Sequence, residues 1–261
     1  MIKILFIGDV CGNAGVKTCE YVIDKLKSEN NEFDFIIANG ENAAGGVGIT
    51  YPIAKQLYSA GVDAITLGNH TWSRKEILNF IDDDNKIVRP ANFPKSSPGK
   101  GSAIISKENK KIGVINVAGC VYMEPNDCPF LASDDEITKL KQYTNVIIVD
   151  IHAEATSEKC ALAYYLDGRV SAVVGTHTHV QTADERIFER GTGFISDAGM
   201  TGPYEGVIGV DKEIILEKFL THMPQKFEVA RGITQFNGVI LEMNEDNGKC
   251  INIKRLQMFG K

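Results

Sequence analysis

The sequence predicts an α/β fold, and three observations carry that prediction. Short, almost wholly apolar runs at 3–7, 34–38 and 63–67 read as strands covered on both faces, and helical patterns separate them. Turns rich in Gly and Asn follow those runs, and glycines such as Gly61 and Gly168 close the helices. The 261 residues are 43% hydrophobic and 24% charged, enough for one large core. No linker, repeat or low-complexity segment divides them, so a single domain over 1–261 is expected.

In order, the strand at 3–7 runs into Gly8-Asp9 and a turn holding Gly12, Asn13 and Gly15. The spacing of Val16, Cys19, Val22, Ile23 and Leu26 predicts a helix over 16–28. The strand at 34–38 ends in Asn39-Gly40-Glu41-Asn42, and a loop with Gly45, Gly46 and Gly48 leads to a helix over 52–60. The strand at 63–67 ends in Gly68-Asn69-His70-Thr71. Ser73 and Glu76 have capping-box spacing for a helix through Ile81. A proline-rich loop over 89–101 follows; Arg89 and Asn92 within it are not assigned to a site.

Strands at 102–106 and 112–117 are joined by a Lys/Asn-rich turn, and 116–129 reads as irregular. Ser133 and Glu136 form a second capping-box pattern, for a helix to Tyr143. The strand at 145–149 leads to Asp150-Ile151-His152, and a helix over 158–166 follows. The run 170–174 is a buried strand before Gly175-Thr-His-Thr-His-Val180; an extended chain there would project His177 and His179 to one side. A strand at 193–196 enters 197–203, read as a flexible loop. An amphipathic helix over 212–220 and a hairpin pairing 236–243 with 250–256 complete the chain.

The net charge of −6 argues against an extended nucleic-acid track, which needs a basic surface. A small anionic substrate fits if bound metal supplies positive charge. The mean hydropathy is −0.11, and no apolar run is long enough to span a bilayer, so no membrane partner is expected. Six scattered cysteines without a CxxC pair and without an export pattern read as free thiols in the cytoplasm.

Chemistry is concentrated where strands end. Five apolar strands are followed at once by groups able to bind metal: Asp9; Glu41 and Asn42; Asn69 and His70; His152; His177 and His179. Ligand sites of α/β sheets lie at the carboxyl ends of strands, so these endings are expected to converge. Each has a structural alternative taken singly: Asp9 as a helix cap, Glu41 as a solvated acid, Asn42 and Asn69 in left-handed turns, His152 packed on backbone. Their coincidence at five strand ends favours a shared site. His222 reads as structural, on the polar edge of a helix.

Eight such groups exceed the needs of one ion. Mixed oxygen and nitrogen donors with a carboxylate able to bridge suit two ions about 3.5–4 Å apart, holding a hydroxide and clamping a phosphate. Thiolates are absent apart from Cys11, which argues against structural zinc; iron, manganese and zinc all suit such donors.

These residues carry a resemblance. Gly8-Asp9, Gly40-Glu41-Asn42, Gly68-Asn69-His70, His152 and Gly175-Thr-His-Thr-His179 resemble the ordered motifs of calcineurin-like metallophosphoesterases. That superfamily usually opens with Asp-x-His, where this chain has Asp9-Val10-Cys11, and bridges its metals with aspartate, where this chain has Glu41. With Asn-Gly-Glu-Asn-Ala-Ala-Gly-Gly, Gly-Asn-His-Thr-Trp, Arg-Pro-Ala-Asn-Phe-Pro and His-Ala-Glu-Ala-Thr-Ser-Glu-Lys, the chain is similar to the bacterial YmdB family from residue 1 to about 256.

The resemblance implies a four-layer αββα sandwich with mixed sheets. It implies that Asp9, Glu41, Asn42 and His179 hold one ion and that Glu41, Asn69, His152 and His177 hold the other, with His70 free as proton donor. Two divalent or trivalent transition-metal ions are the expected cofactors, iron first and manganese next. The implied reaction is hydrolysis of a 2′,3′-cyclic nucleotide, or of an RNA 2′,3′-cyclic phosphate, to the 3′-nucleotide by a metal-bridging hydroxide. Two other readings stay open: a phosphatase or nucleotidase on another phosphoester, and a regulatory nucleotide- or partner-binding protein with incidental turnover. Self-association as a homo-oligomer also stays open.

Overall fold

The carboxyl ends of the parallel strands decide where everything else sits. A computed structural model describes residues 1–260, and among these residues the chain forms five α-helices and two sheets, of eight and six strands. β1 (Ile2–Ile7), a short β2 (Asp9–Val10), α1 (Gly12–Ser28), β3 (Phe35–Asn39), α2 (Tyr51–Ala60), β4 (Ala64–Thr66) and β5 (Ile87–Val88) come first. β6 (Ser102–Lys107), β7 (Lys110–Ala118), α3 (Pro129–Leu140), β8 (Ile147–His152), α4 (Thr156–Leu166), β9 (Ala172–Thr176), β10 (Arg186–Ile187) and β11 (Gly193–Ile195) follow. β12 (Met200–Pro203), α5 (Lys212–Thr221), β13 (Thr234–Met243) and β14 (Cys250–Phe259) finish the chain.

The first sheet runs β2-β12-β13-β1-β3-β4-β5, with β14 on β13. β1, β3, β4 and β5 are parallel, whereas β13 is antiparallel to β1, β12 and β14. The second sheet runs β10-β11-β9-β8-β7-β6, parallel from β7 through β8 and β9 to β11 and antiparallel at both edges. Both sheets are mixed, as expected.

Three apolar layers glue four structural ones. Ile4, Phe6 and Ile37 of the first sheet pack against Val114, Ile148 and Val174 of the second. Val16, Ile23 and Leu57 of α1 and α2 cover the outer face of the first sheet at Leu5 and Ile36. Ile137, Leu140 and Leu162 of α3 and α4 cover Ile147 and Val149 of the second. This is the αββα sandwich. Strands buried on both faces explain why β1, β3 and the first halves of β8 and β9 read as apolar runs. No described helix is long and apolar enough to cross a membrane.

Several local expectations give way to tertiary contacts. The Gly12–Gly15 turn is the first turn of α1: a Cβ on Gly15 would lie 2.4 Å from the Thr201 carbonyl oxygen, so glycine here permits close packing of helix on strand. The Ser73 box does not form. Residues Lys75–Asn79 make a 3₁₀ turn, the Ser73 hydroxyl meets His70 Nδ1 at 3.3 Å, and Glu76 Oε1 accepts from the Tyr51 N–H. The Ser133 box fails as well, because α3 begins earlier, at Pro129, and Ser133 donates to the Pro129 carbonyl inside it. The supposed flexible loop contains β12, wholly buried between β2 and β13. α5 buries only Ile215 among its described residues and leaves Leu216, Phe219 and Leu220 exposed, so its amphipathic pattern does not dock on the core.

Gly175, at the end of β9, has no room for a side chain: a Cβ would stand 1.9 Å from the Ser196 carbonyl oxygen. Gly175→Ala is therefore expected to cost about 1–3 kcal/mol of stability through displaced backbone. A urea titration reads this as a lower midpoint at unchanged slope; an unchanged midpoint would contradict the packing described.

Candidate metal centre

All eight candidate residues meet at the carboxyl ends of β1, β3, β4, β8 and β9. Asp9, Glu41, Asn42 and His152 are buried, and Asn69, His70, His177 and His179 are half-buried. The structural alternatives fall away. The N-cap of α1 is Cys11 and not Asp9, and Glu41 is 1% exposed. Neither Asn42 nor Asn69 has a positive φ. His152 meets side chains on both ring nitrogens.

Extended projection of His177 and His179 also gives way. β9 ends at Thr176, and both histidines adopt left-handed backbone conformations, with φ of 98° and 66°. They face different neighbours. His177 Nδ1 lies 3.0 Å from His152 Nε2, whereas His179 Nε2 lies 3.2 Å from the Asn42 amide and 3.8 Å from Asp9 Oδ1. His177 Nε2 points outward, 3.3 Å from Glu154 Oε2.

Glu41 stands between the two groups. Its Oε1 is 3.0 Å from His152 Nε2 and accepts from the Asn42 amide at 3.1 Å; its Oε2 accepts from the His70 N–H at 2.9 Å. Burial pushes the Glu41 pKa up, but His152 and His70 outweigh it and hold the carboxyl at about 2. Burial pulls His152 down, and Glu41, Asp9 and Asp150 more than restore it, to about 9. His177 falls to about 3 through burial and the neighbouring His152. Without metal, then, His152 holds the proton and His177 stays neutral.

Two features show that a cation fits. Asp9 Oδ1 is fully buried and has no hydrogen-bond partner, and burial raises its pKa. Such an orphan carboxylate oxygen costs free energy unless charge faces it. Second, His152 Nε2 is met at 3.0 Å by Glu41 Oε1, by Asn69 Oδ1 and by His177 Nδ1, and one N–H can serve only one of them. A cation would satisfy all four donors at once. Glu41, His152 and His177 bring ligand atoms within 4.8 Å of one another. Burial, then Asp9, pushes the Cys11 thiol up to about 12, so without metal it is protonated.

A cavity of about 420 Å³ opens over this cluster, walled by Cys11, Glu154, Val47, Ile208 and Phe227. Gly45 and Gly46 line the same cavity. A larger one, about 840 Å³, lies beside Arg89 and Asn92 and holds none of the eight residues. There Arg89 donates to the carbonyls of Pro90, Ser97 and Pro98, and Asn92 to those of Ala118 and Asp127, so both brace the loop. His222 is exposed and forms the left-handed C-cap of α5, outside both the cavity lining and the ligand group.

The strained histidine loop has supports that sequence reading missed. Asp197 Oδ2 accepts from the Thr178 N–H and hydroxyl and from Lys159 Nζ at 2.9 Å, an ion pair with both partners about 1% exposed. The Ile208 carbonyl lies 2.9 Å from His179 Nδ1, and Ile208 itself has φ of 46°, unusual for a β-branched residue. Asp197 follows β11 as Asp9 follows β1, so the strand-end rule could have found it. Nothing local marks Lys159 or Ile208. Lys159→Met would leave Asp197 buried and unpaired, and denaturant unfolding should show a loss of about 3–5 kcal/mol. Adding Asp197→Asn should recover part of that loss; a single-site loss under 1 kcal/mol (about the worth of a surface pair) would contradict this support.

Comparisons with known proteins agree with the geometry. A curated protein of Bacillus subtilis (strain 168), named 2′,3′-cyclic-nucleotide 2′-phosphodiesterase, is 49% identical over 98% of this chain and 96% of its own length. A crystal structure of a hypothetical protein from Thermus thermophilus superposes with a TM-score of 0.93 at 38% identity, covering 100% of both chains. One of a novel phosphatase from Mycoplasma pneumoniae gives 0.91 at 36% identity, covering 99% of this chain and 93% of the other. The family model described as YmdB-like protein matches residues 5–256, and the chain belongs to that family.

Proposed function

We propose that residues 1–261 form one catalytic domain, a dinuclear metal-dependent phosphodiesterase that opens 2′,3′-cyclic nucleotides to 3′-nucleotides. The observation that carries the metal reading is the orphan Asp9 Oδ1 beside the over-subscribed His152 Nε2. The substrate reading rests on the name and 49% identity of the Bacillus subtilis relative.

Asp9, Glu41, Asn42 and His179 would hold one ion, and Glu41, Asn69, His152 and His177 the other. The opposed directions of the two loop histidines support that division. Asn42 would turn its amide oxygen to the ion, since an amide nitrogen has no free lone pair. Oxygen and imidazole donors without thiolate suit iron or manganese. Bound metal would supply a nucleophile from coordinated water at neutral pH and positive charge against the phosphate. That charge lets a chain of net charge −6 process an anion.

His70 does what the ligands do not. Its main chain is anchored to Glu41 by a 2.9 Å bond, its Nδ1 meets the Ser73 hydroxyl at 3.3 Å, and it lines the cavity. Nε2 is thereby left to protonate the departing 2′ oxygen, a step worth about 10²–10⁴ in rate. The six cysteines are unpaired, which suits a reducing cytoplasm.

His70→Ala should retain both ions and lose about 10²–10⁴ in kcat on 2′,3′-cyclic AMP. NMR of the product should show 3′-AMP; 2′-AMP would overturn the regiochemistry, and a chain that takes up no iron or manganese would overturn the whole reading. An aryl phosphomonoester hydrolysed faster than the cyclic substrate would favour a phosphatase, as the Mycoplasma pneumoniae protein is named.

A pH dependence follows from His152. Below about 9 the metal-free ring is protonated, and it must be neutral to ligate. Metal uptake at pH 7 should expel at least the His152 proton, and affinity should rise with pH until about 9. Calorimetry in buffers of different ionisation enthalpy reads the proton directly; a buffer-independent heat would contradict it.

A further inference from the structure

Behind the cluster lies a carboxylate that the proposed reaction does not use. Asp150, on β8, is 0% exposed, and its charge must be met by protein groups alone. Asp150 Oδ2 accepts from the Asn39 amide at 3.0 Å, and Oδ1 accepts from the Thr176 hydroxyl at 2.7 Å. The Thr176 oxygen in turn lies 2.9 Å from His152 Nδ1. The direction of this chain is settled by elimination. A threonine hydroxyl has one proton, and the carboxylate, an acceptor only, takes it. Towards His152, Thr176 can therefore offer only a lone pair, so Nδ1 must carry the hydrogen.

We infer that Asp150 and Thr176 form a buried relay that fixes the tautomer and ring orientation of His152, so that Nε2 presents its lone pair to the metal cluster. This rests on the metal reading above. Both are positioning residues, acting on the ion only through His152. The strand register supports the arrangement: His152 pairs with Thr176 and Asp150 with Val174, which sets the hydroxyl beside the imidazole on adjacent parallel strands. Asn39, from the facing sheet, closes the relay from the other side and also donates to the Leu67 carbonyl. The relay thus ties both sheets to one ligand.

The test compares metal affinity of the metal-stripped protein, by calorimetric titration with manganese, for wild type, Thr176→Val and Thr176→Ser. Valine keeps the shape and removes the hydroxyl; one binding event should weaken by about 10–100-fold. Serine restores the hydroxyl and should recover most of that loss. Wild-type affinity in Thr176→Val, or no recovery in Thr176→Ser, would overturn the relay. Should the valine variant not fold, ¹⁵N-histidine NMR of the zinc-loaded wild type decides. The relay requires a slowly exchanging proton on His152 Nδ1 and zinc on Nε2, and the reverse assignment overturns it. Wild-type protein that binds no metal would instead overturn the functional reading on which the relay rests.

Discussion

The structure depends on two buried carboxylates that no lysine or arginine neutralises. Among the described residues, Asp9 and Glu41 form ion pairs with histidines only. Isolated ionised carboxylates are expensive to bury, and the arrangement is stable only if cationic character is concentrated between them. The raised His152 and the lowered Glu41 are the metal-free compromise. One proton stands where the proposed metal charge would.

Every other feature of the site can be traced to holding that arrangement. Five strand ends from two sheets must meet, so the sheets pack face to face through a dry layer of Ile, Val and Phe. The loop after β9 must aim two imidazoles in different directions, which extended backbone cannot do, so both histidines take left-handed conformations. Strain of this kind costs about 1–3 kcal/mol per residue and persists only when surroundings over-determine it. The buried Lys159–Asp197 pair and the Ile208 carbonyl provide that determination.

Much of this was legible in the sequence, and the part that was not has a physical pattern. β1, β3, β8 and β9 were readable because burial on both faces leaves an apolar run with sharp polar ends. The eight strand-end groups were readable for the same reason. What failed depended on contacts distant in sequence. Gly15 reads as a turn residue until Thr201 is placed against it, and Met200–Pro203 reads as a loop until β13 pairs with it. Ser73 and Ser133 had correct capping spacing, yet His70 and the Pro129 carbonyl took their hydroxyls. Thr176 and Asp150 were hidden because a buried polar residue within a strand looks, in sequence, like an interruption of it.

In the proposed centre Glu41 is shared, and His177 and His179 serve different ions. Anomalous diffraction from crystals loaded with manganese tests it most directly. Two peaks bridged by Glu41 are expected, with His152 and His177 on one and His179 on the other. A single peak, or both loop histidines on the same ion, would contradict it.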